Sequence, residues 1–316
     1  MTGRHTLEGL LVDPIDGARP GKLTIEEELI VDVREEAADV GHMLLPGFLD
    51  LHVYDARNLA ARGITGYLQT ARRPQETTDP LCLGLHLEGP FLNPEAAGAI
   101  PVDELLAVDL VLLREWLARG DVRVVTVSPE LAGAVEAIAL IAKRSVAAIG
   151  HTHANVATTR AAVEAGATFA THLWNAMAPV KARSTGPIPE LLLDERVTVG
   201  LIADGRHLHP RVEELTVRVA GVHRIALTSD LVATAVLPGN RLGGGTRAGA
   251  ELVKHMARFG LAEAATMASL VAAEVLGLAD RGRLAPGFRA DIAVLGADFT
   301  PVQTIAGGKT VWAALS

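Results

Sequence analysis

Residues 145–173 read "SVAAIGHTHANVATTRAAVEAGATFATHL". Two short apolar runs, 145–150 and 167–172, flank a stretch with helical spacing at 155–166. Asn155 is a good N-cap and Gly166 a good C-terminal stop, so the middle reads as one helix with both ends marked. Short apolar runs bounded by glycine or polar residues suit buried parallel strands. The stretch is therefore one complete strand–helix–strand unit. Each of its strands ends on a histidine, His151 and His172.

The same rhythm recurs outward from this unit. Further apolar runs lie near 44–51, 63–69, 81–87, 122–128, 197–203 and 224–229, which makes eight. "LAGAVEAIALIAKR" (131–144) supplies another clear helix. Eight alternating units predict an α/β fold, a (β/α)8 TIM barrel. The first two units are lean. "DARNLAAR" (55–62) allows about two helical turns, and "TARRPQETTDP" (70–80) reads as a polar loop. The ends differ in texture. "KLTIEEELIVDVRE" (22–35), "DIAVLG" (291–296) and "VQTIAGGKTVWA" (302–313) are short alternating runs with turn residues between them, which reads as antiparallel strand. The expected organisation is a small β-sandwich domain from residues 1–44 and 284–316 beside a barrel of residues 45–283.

Composition narrows the function. The chain has 316 residues, of which 49% are hydrophobic, enough for a sizeable core. Charged residues make up 21% and the formal net charge is -8, so there is no basic footprint for nucleic acid or an anionic membrane. The one cysteine, Cys82, excludes a disulfide within the chain and a cysteine-rich zinc site. No secretory h-region opens the chain, and no stretch approaches ~18 uninterrupted apolar residues. The expectation is a soluble cytoplasmic protein.

Polar residues cluster at the C-terminal ends of the runs: His52, Glu88, His151, His172 and Asp230, with His207 just past run seven. In a barrel of this type those ends converge on one mouth, where active sites are built. Two neutral imidazoles and a carboxylate form a three-ligand catalytic metal site with a position left open. Glu88, His151 and His172 supply that set. The ion would provide hydroxide near neutral pH and polarise a carbonyl. Asp230 could take the water's proton and pass it to a leaving amine. Taken singly, each has an ordinary structural role available, such as a helix cap for Asp230 or a partner arginine for Glu88. It is their shared position on separate strands that points to chemistry. His5, His42, His153, His209, His223 and His255 lack that phase.

"LLPGFLDLH" (44–52) resembles the first-strand signature of the amidohydrolase superfamily. "HLEGPFLNPEAAGA" (86–99), "GHTHA" (150–154), "THLWNAMAPV" (171–180), "IADGRHLHP" (202–210) and "LTSD" (227–230) closely resemble its branch of N-acetylglucosamine-6-phosphate deacetylases. "GRLAPGFRADIAVL" (282–295) resembles the strand return of many amidohydrolases. The resemblance implies hydrolysis of an acetamido group on an amino sugar 6-phosphate, with Glu88, His151 and His172 as metal ligands and Asp230 as general base and acid. It implies substrate contacts from Asn175, Ala176, His207, Leu242, Gly243 and Gly244. It implies that Arg183 binds phosphate in the neighbouring subunit of a homodimer. One divalent ion per subunit is expected, zinc first, with iron, manganese and cobalt also accepted by these ligands.

The sequence also departs from that pattern. Where many amidohydrolases carry His-x-His, this chain has His52-Val53-Tyr54, which favours one metal over two and leaves His52 as an additional site residue. Ile100 stands where the family places a substrate-contacting histidine, and Ser184-Thr185-Gly186 follows Arg183 in place of Glu-Pro-Gly. The segment from His52 to Glu88 is short. These changes touch recognition more than hydrolysis. They keep two alternatives in view: an amidohydrolase for another N-acyl sugar or an N-acyl amino acid, and a non-catalytic binding protein on the same frame.

Overall fold

The structure is a computed structural model that describes residues 3–237 and 241–315. Four strands open the chain: β1 (His5–Asp13), β2 (Gly17–Glu26), β3 (Leu29–Glu35) and β4 (His42–Pro46). Eight follow: β5 (Phe48–Val53), β6 (Ile64–Ala71), β7 (Cys82–Glu88), β8 (Val122–Val127), β9 (Val146–Ile149), β10 (Ala167–Ala170), β11 (Thr198–Leu201) and β12 (Ile225–Leu227). A short ladder, β13 (Val236–Leu237) with β14 (Arg241–Leu242), precedes three closing strands, β15 (Ile292–Gly296), β16 (Pro301–Ala306) and β17 (Lys309–Ala313). The chain divides into two compact units. One comprises the chain up to Asp50, Ala56–Tyr67 and the chain from Arg247 on; the other comprises Leu51–Asp55 and Leu68–Thr246.

In the first unit both chain ends enter one seven-stranded sheet, ordered β17-β16-β15-β4-β1-β2-β3. β15 pairs antiparallel with β4 from Ile292 opposite Pro46 to Gly296 opposite His42. The alternation read from the sequence gives this sheet a buried face. Leu11, Leu23, Ile25, Ile30, Leu44, Ile292 and Ile305 form its core. Fully burying a side chain of this size contributes roughly 1.5–3 kcal/mol. Asp13 ties the two ends together, its carboxylate accepting from Arg283 at 2.9 Å and from the Leu284 amide at 2.7 Å.

The eight middle strands form a second sheet in sequence order, β5 to β12. Their pairing is parallel, as in β8 with β9 and β11 with β12. The first strand meets the last region of the sheet where Val53 bridges Leu231 in parallel, so the barrel is nearly closed. Strands such as β5 and β8 are buried along almost their whole length, as parallel strands covered on both faces require. The expected first run, 44–51, is divided here. Residues to Pro46 belong to the seven-stranded sheet, and β5 begins at Phe48. Gly47 marks the transfer: a Cβ there would lie 2.2 Å from Thr65 Oγ1.

Helices α1 (Leu110–Ala118), α2 (Ala134–Ile141), α3 (Val156–Glu164), α4 (Ile188–Leu193) and α5 (Pro210–Ala220) alternate with the later strands. Asn155 caps α3 by accepting from the Thr158 amide at 2.9 Å, a contact of about 1 kcal/mol. The early units are as lean as expected. A single 3-10 turn, Ala60–Arg62, follows β5, and residues 72–81 hold no helix. Among the described residues, no helix is long and apolar enough to cross a membrane.

Candidate metal centre and active site

Glu88 is the last residue of β7 and only 3% exposed. Its Oε1 lies 2.9 Å from His151 Nε2, 2.8 Å from His172 Nε2 and 3.4 Å from His52 Nε2. Its Oε2 accepts from the Tyr54 hydroxyl. His151 and His172 follow β9 and β10 on residues with φ of 49° and 30°, and Asp230 follows β12 with φ of 48°. Left-handed backbone is costly for residues other than glycine and tends to persist where function requires it. Three site residues at separate strand ends share this conformation.

The hydrogen bonds fix which nitrogen carries a proton. A carbonyl can only accept, so His151 Nδ1 donates to Ala96 O at 2.8 Å. In the neutral ring, His151 Nε2 then presents a lone pair to the lone pairs of Glu88 Oε1 at 2.9 Å. Two acceptors that close need a cation between them, either a proton or a metal ion. A divalent ion held by His151, His172 and Glu88 fits this donor set. His52 also falls within the cluster by distance: one atom each from His52, Glu88 and His172 all lie within 4.8 Å of one another. Its chemistry differs. His86 Nδ1 donates to Leu51 O at 2.7 Å and sits 3.1 Å from His52 Nδ1. In the neutral ring, His52 Nδ1 is thus placed to accept, which leaves the proton on Nε2, 3.2 Å from Asp230 Oδ1.

Burial and mutual attraction shift the ionisation of the cluster. Burial opposes charge on His52, but Glu88 and Asp230 outweigh it and raise its pKa to about 10. Burial opposes charge on His151 as well, and Glu88 again outweighs it and raises the pKa. Burial pushes Glu88 upward, while His52 and His151 pull it well below the usual carboxylate range. Burial lowers His172. Burial, with repulsion from His52, lowers His86 to about 3.

A cavity of about 390 Å³ opens beside this centre. Its walls include Glu88, His151, His172, Asn175, His207 and Asp230. Ala176, Leu242, Gly243 and Gly244 line it too, as does Ile100. His207 Nδ1 is held by Asp204 at 2.9 Å. Burial opposes ionisation of Asp204, but bonds from the His207 ring and the His207 and Arg206 amides outweigh it, and its pKa falls to about 2. Arg183 is not in the wall. It is exposed, in a tight turn where Lys181 bridges Ser184.

A sequence profile of the Amidohydrolase family matches residues 55–311. The chain belongs to the amidohydrolase family. It is 29% identical to N-acetylglucosamine-6-phosphate deacetylase of Bacillus subtilis (strain 168) over 341 residues, covering 87% of this chain and 86% of that one. It is also 29% identical to N-acetylgalactosamine-6-phosphate deacetylase of Escherichia coli O157:H7, covering 92% of each. In structure it is similar to a mutant N-acetyl-D-glucosamine-6-phosphate deacetylase of Mycobacterium smegmatis in complex with N-acetyl-D-glucosamine-6-phosphate. That match has a TM-score of 0.90 and 28% identity, covering 98% of this chain and 99% of that one. These relatives are enzymes, and the non-catalytic reading of this amidohydrolase falls away.

Several residues of this amidohydrolase's site escape a reading confined to strand ends. His86 precedes Glu88 by two residues and so shares its side of β7, a period-two signal present in the sequence. Its Nε2 lies 2.7 Å from Thr126 Oγ1. Glu130 joins three loops: it accepts from the Asn93 side chain at 2.8 Å, the Thr152 hydroxyl at 2.5 Å and the His153 amide at 2.6 Å. Arg72, from the polar loop, is the one lysine or arginine lining the cavity among the described residues. It pairs with Glu104.

Proposed function

We propose that this amidohydrolase removes the acetyl group of an N-acetyl amino sugar 6-phosphate, N-acetylglucosamine 6-phosphate first, giving acetate and the free amine. The observation that carries the reading is the buried Glu88 carboxylate. One of its oxygens faces the Nε2 atoms of His151 and His172, with Asp230 beside them at the edge of an open cavity. Glu88, His151 and His172 would hold a divalent ion, which would supply Lewis acidity toward the amide carbonyl and make hydroxide available near neutral pH. Zinc is proposed first, and one ion per chain.

The protein's own groups do the rest. Asp230 takes the proton of the attacking water and returns it to the departing amine. His52 holds Asp230 in place through Nε2. His207, anchored through Nδ1 to Asp204, keeps Nε2 for a sugar hydroxyl. Asn175, Ala176 and the Leu242–Gly244 segment shape the sugar pocket. Arg72 offers a guanidinium to the phosphate from within the subunit, and Arg183, exposed, offers a second to the neighbouring subunit of a homodimer. A cytoplasmic setting suits a phosphorylated substrate.

Acetate release by metal-loaded protein tests the reading. Both N-acetylglucosamine 6-phosphate and N-acetylgalactosamine 6-phosphate should be assayed, each beside its plain sugar. No acetate from any N-acetyl amino sugar would reject it. One observation favours a second reading, an amidohydrolase for another N-acyl sugar or an N-acyl amino acid: Ile100 lines the cavity and has no hydrogen-bonding group. The same assay on N-acyl amino acids separates the two.

A further inference from the structure

Glu88 uses its two oxygens differently. Oε1 faces three imidazole nitrogens, while Oε2 is turned to Tyr54. A carboxylate can only accept here, so the phenol donates. Tyr54 is itself held on several sides. Its amide donates to Leu231 O at 3.0 Å, and its carbonyl accepts from Gln69 Nε2 at 3.0 Å. Arg72, which pairs with Glu104, lines the same cavity. The ring stands edge-on to His52, with centroids 5.7 Å apart and planes at 85°. The phenol thus reaches Oε2 from a backbone anchored on both its amide and its carbonyl.

We propose that Tyr54 is a positioning residue of the metal centre: its hydroxyl holds Glu88 Oε2 so that Oε1 alone faces the ion. The consequence is twofold. Glu88 cannot swing to offer both oxygens to one ion, which fixes its place relative to His151 and His172. Nor does it retain a free oxygen with which to bridge to a second ion. The inference rests on the metal reading above. It adds to that reading a group that touches no metal, and it assigns a role to the tyrosine of His52-Val53-Tyr54.

Metal affinity is the direct readout, measured by competition with a chromophoric chelator for Zn²⁺ at fixed pH. Partners that orient a ligand typically cost about 10–100-fold in metal affinity when removed. Tyr54→Phe should weaken zinc binding by about that factor, with saturation still at one ion per chain. Tyr54→Gln, whose amide can donate to Oε2, should recover part of the loss. A Kd equal to wild type in both variants would overturn the proposal. So would a variant whose turnover falls while its Kd stays unchanged, because the hydroxyl would then act on substrate. If Tyr54→Phe does not fold, Tyr54→Met against Tyr54→Gln compares a side chain that cannot donate with one that can, and equal Kd values overturn the proposal. Wild-type protein that binds no zinc at all would remove the metal reading and this inference together. Wild-type protein that binds zinc no better than the variants would remove this inference alone.

Discussion

Asp230 and His52 are joined twice. The Asp230 amide donates to the His52 carbonyl at 2.9 Å, and Asp230 Oδ1 lies 3.2 Å from His52 Nε2. His52, the next-to-last residue of β5, thus bonds the backbone of Asp230, which follows the last barrel strand, and lies beside its carboxylate. Asp230→Asn fills the same volume without being able to take a proton. It should keep the fold and the metal and lower kcat by roughly 10²–10⁴-fold. Wild-type turnover in that variant would assign the proton transfer to another group.

His151→Ala and His172→Ala should each reduce metal content and turnover together. Each removes a nitrogen within 3 Å of Glu88 Oε1. The nearby His52 can retain a residual ion, so content need not reach zero. Elemental analysis of protein purified without chelator decides the matter. Full occupancy with normal activity in either variant would remove that histidine from the centre.

Metal affinity should fall in acid, and binding should release protons. In the metal-free site, Glu88 raises His151 against burial, so that ring holds a proton to higher pH than an ordinary histidine. The ion needs the bare nitrogen, so it must displace the proton. Below the raised pKa each such proton should weaken the apparent Kd by about tenfold per pH unit. Chelator stripping should accordingly be easier at pH 6 than at pH 8. A Kd independent of pH across that span would contradict the proposed ligand set.

The two arginines should separate by position. Arg72→Gln removes the cation in the cavity wall and should raise KM for a phosphorylated sugar by roughly 10–150-fold, the equivalent of a charge-assisted bond of about 1.5–3 kcal/mol. KM for the plain sugar should hardly move. Arg183→Ala should behave alike only if a neighbouring subunit uses it. A mixed dimer of one Arg183→Ala subunit and one Asp230→Asn subunit then keeps about half its sites. With Arg183 serving its own subunit, no site is intact. Equal effects on phosphorylated and plain sugars would end the phosphate role of whichever arginine shows them.

Asp13 gives a stability prediction away from the site. Burial opposes its ionisation, yet Arg283 and the amides of Asp16, Leu284 and Ile15 hold its pKa below the ordinary value. A depressed carboxylate stabilises the fold above its unfolded pKa and loses that contribution as pH falls through its folded pKa. Asp13→Ala should cost about 1–3 kcal/mol at neutral pH, since it leaves buried donors unpaired. The cost should shrink below about pH 4, where the wild type begins to lose the same interaction. A difference in denaturation midpoint that is constant down to pH 2 would refute the assignment.

The barrel was legible because its signal repeats. Asn155 and Gly166 bracket one helix, and runs such as 122–128 keep the strand period. The break at Gly47 was not legible, because residues 44–51 are apolar on both sides of it and hydropathy cannot show a strand changing sheets. Glu88, His151, His172 and Asp230 could be singled out because charge at the end of an apolar run is conspicuous. Asp204, Glu130 and Arg72 lie in polar loops where such residues are ordinary, and only the folded geometry gives them partners. Tyr54 was visible as an unusual residue, but its bond to Glu88 spans 34 positions and has no local signature.

The strand order of the seven-stranded sheet has a consequence for synthesis. β4 is made early, yet its neighbour β15 lies at Ile292–Gly296, near the end of the chain. While the intervening residues emerge from the ribosome, one edge of β4 has no strand to pair with, although its residues Leu44 and Leu45 are apolar and buried in the finished fold. Unpaired strand edges of this kind invite association between chains. Loss of even the last two dozen residues would leave that edge permanently open, so a prematurely terminated polypeptide should aggregate although every residue of the candidate metal centre had been translated.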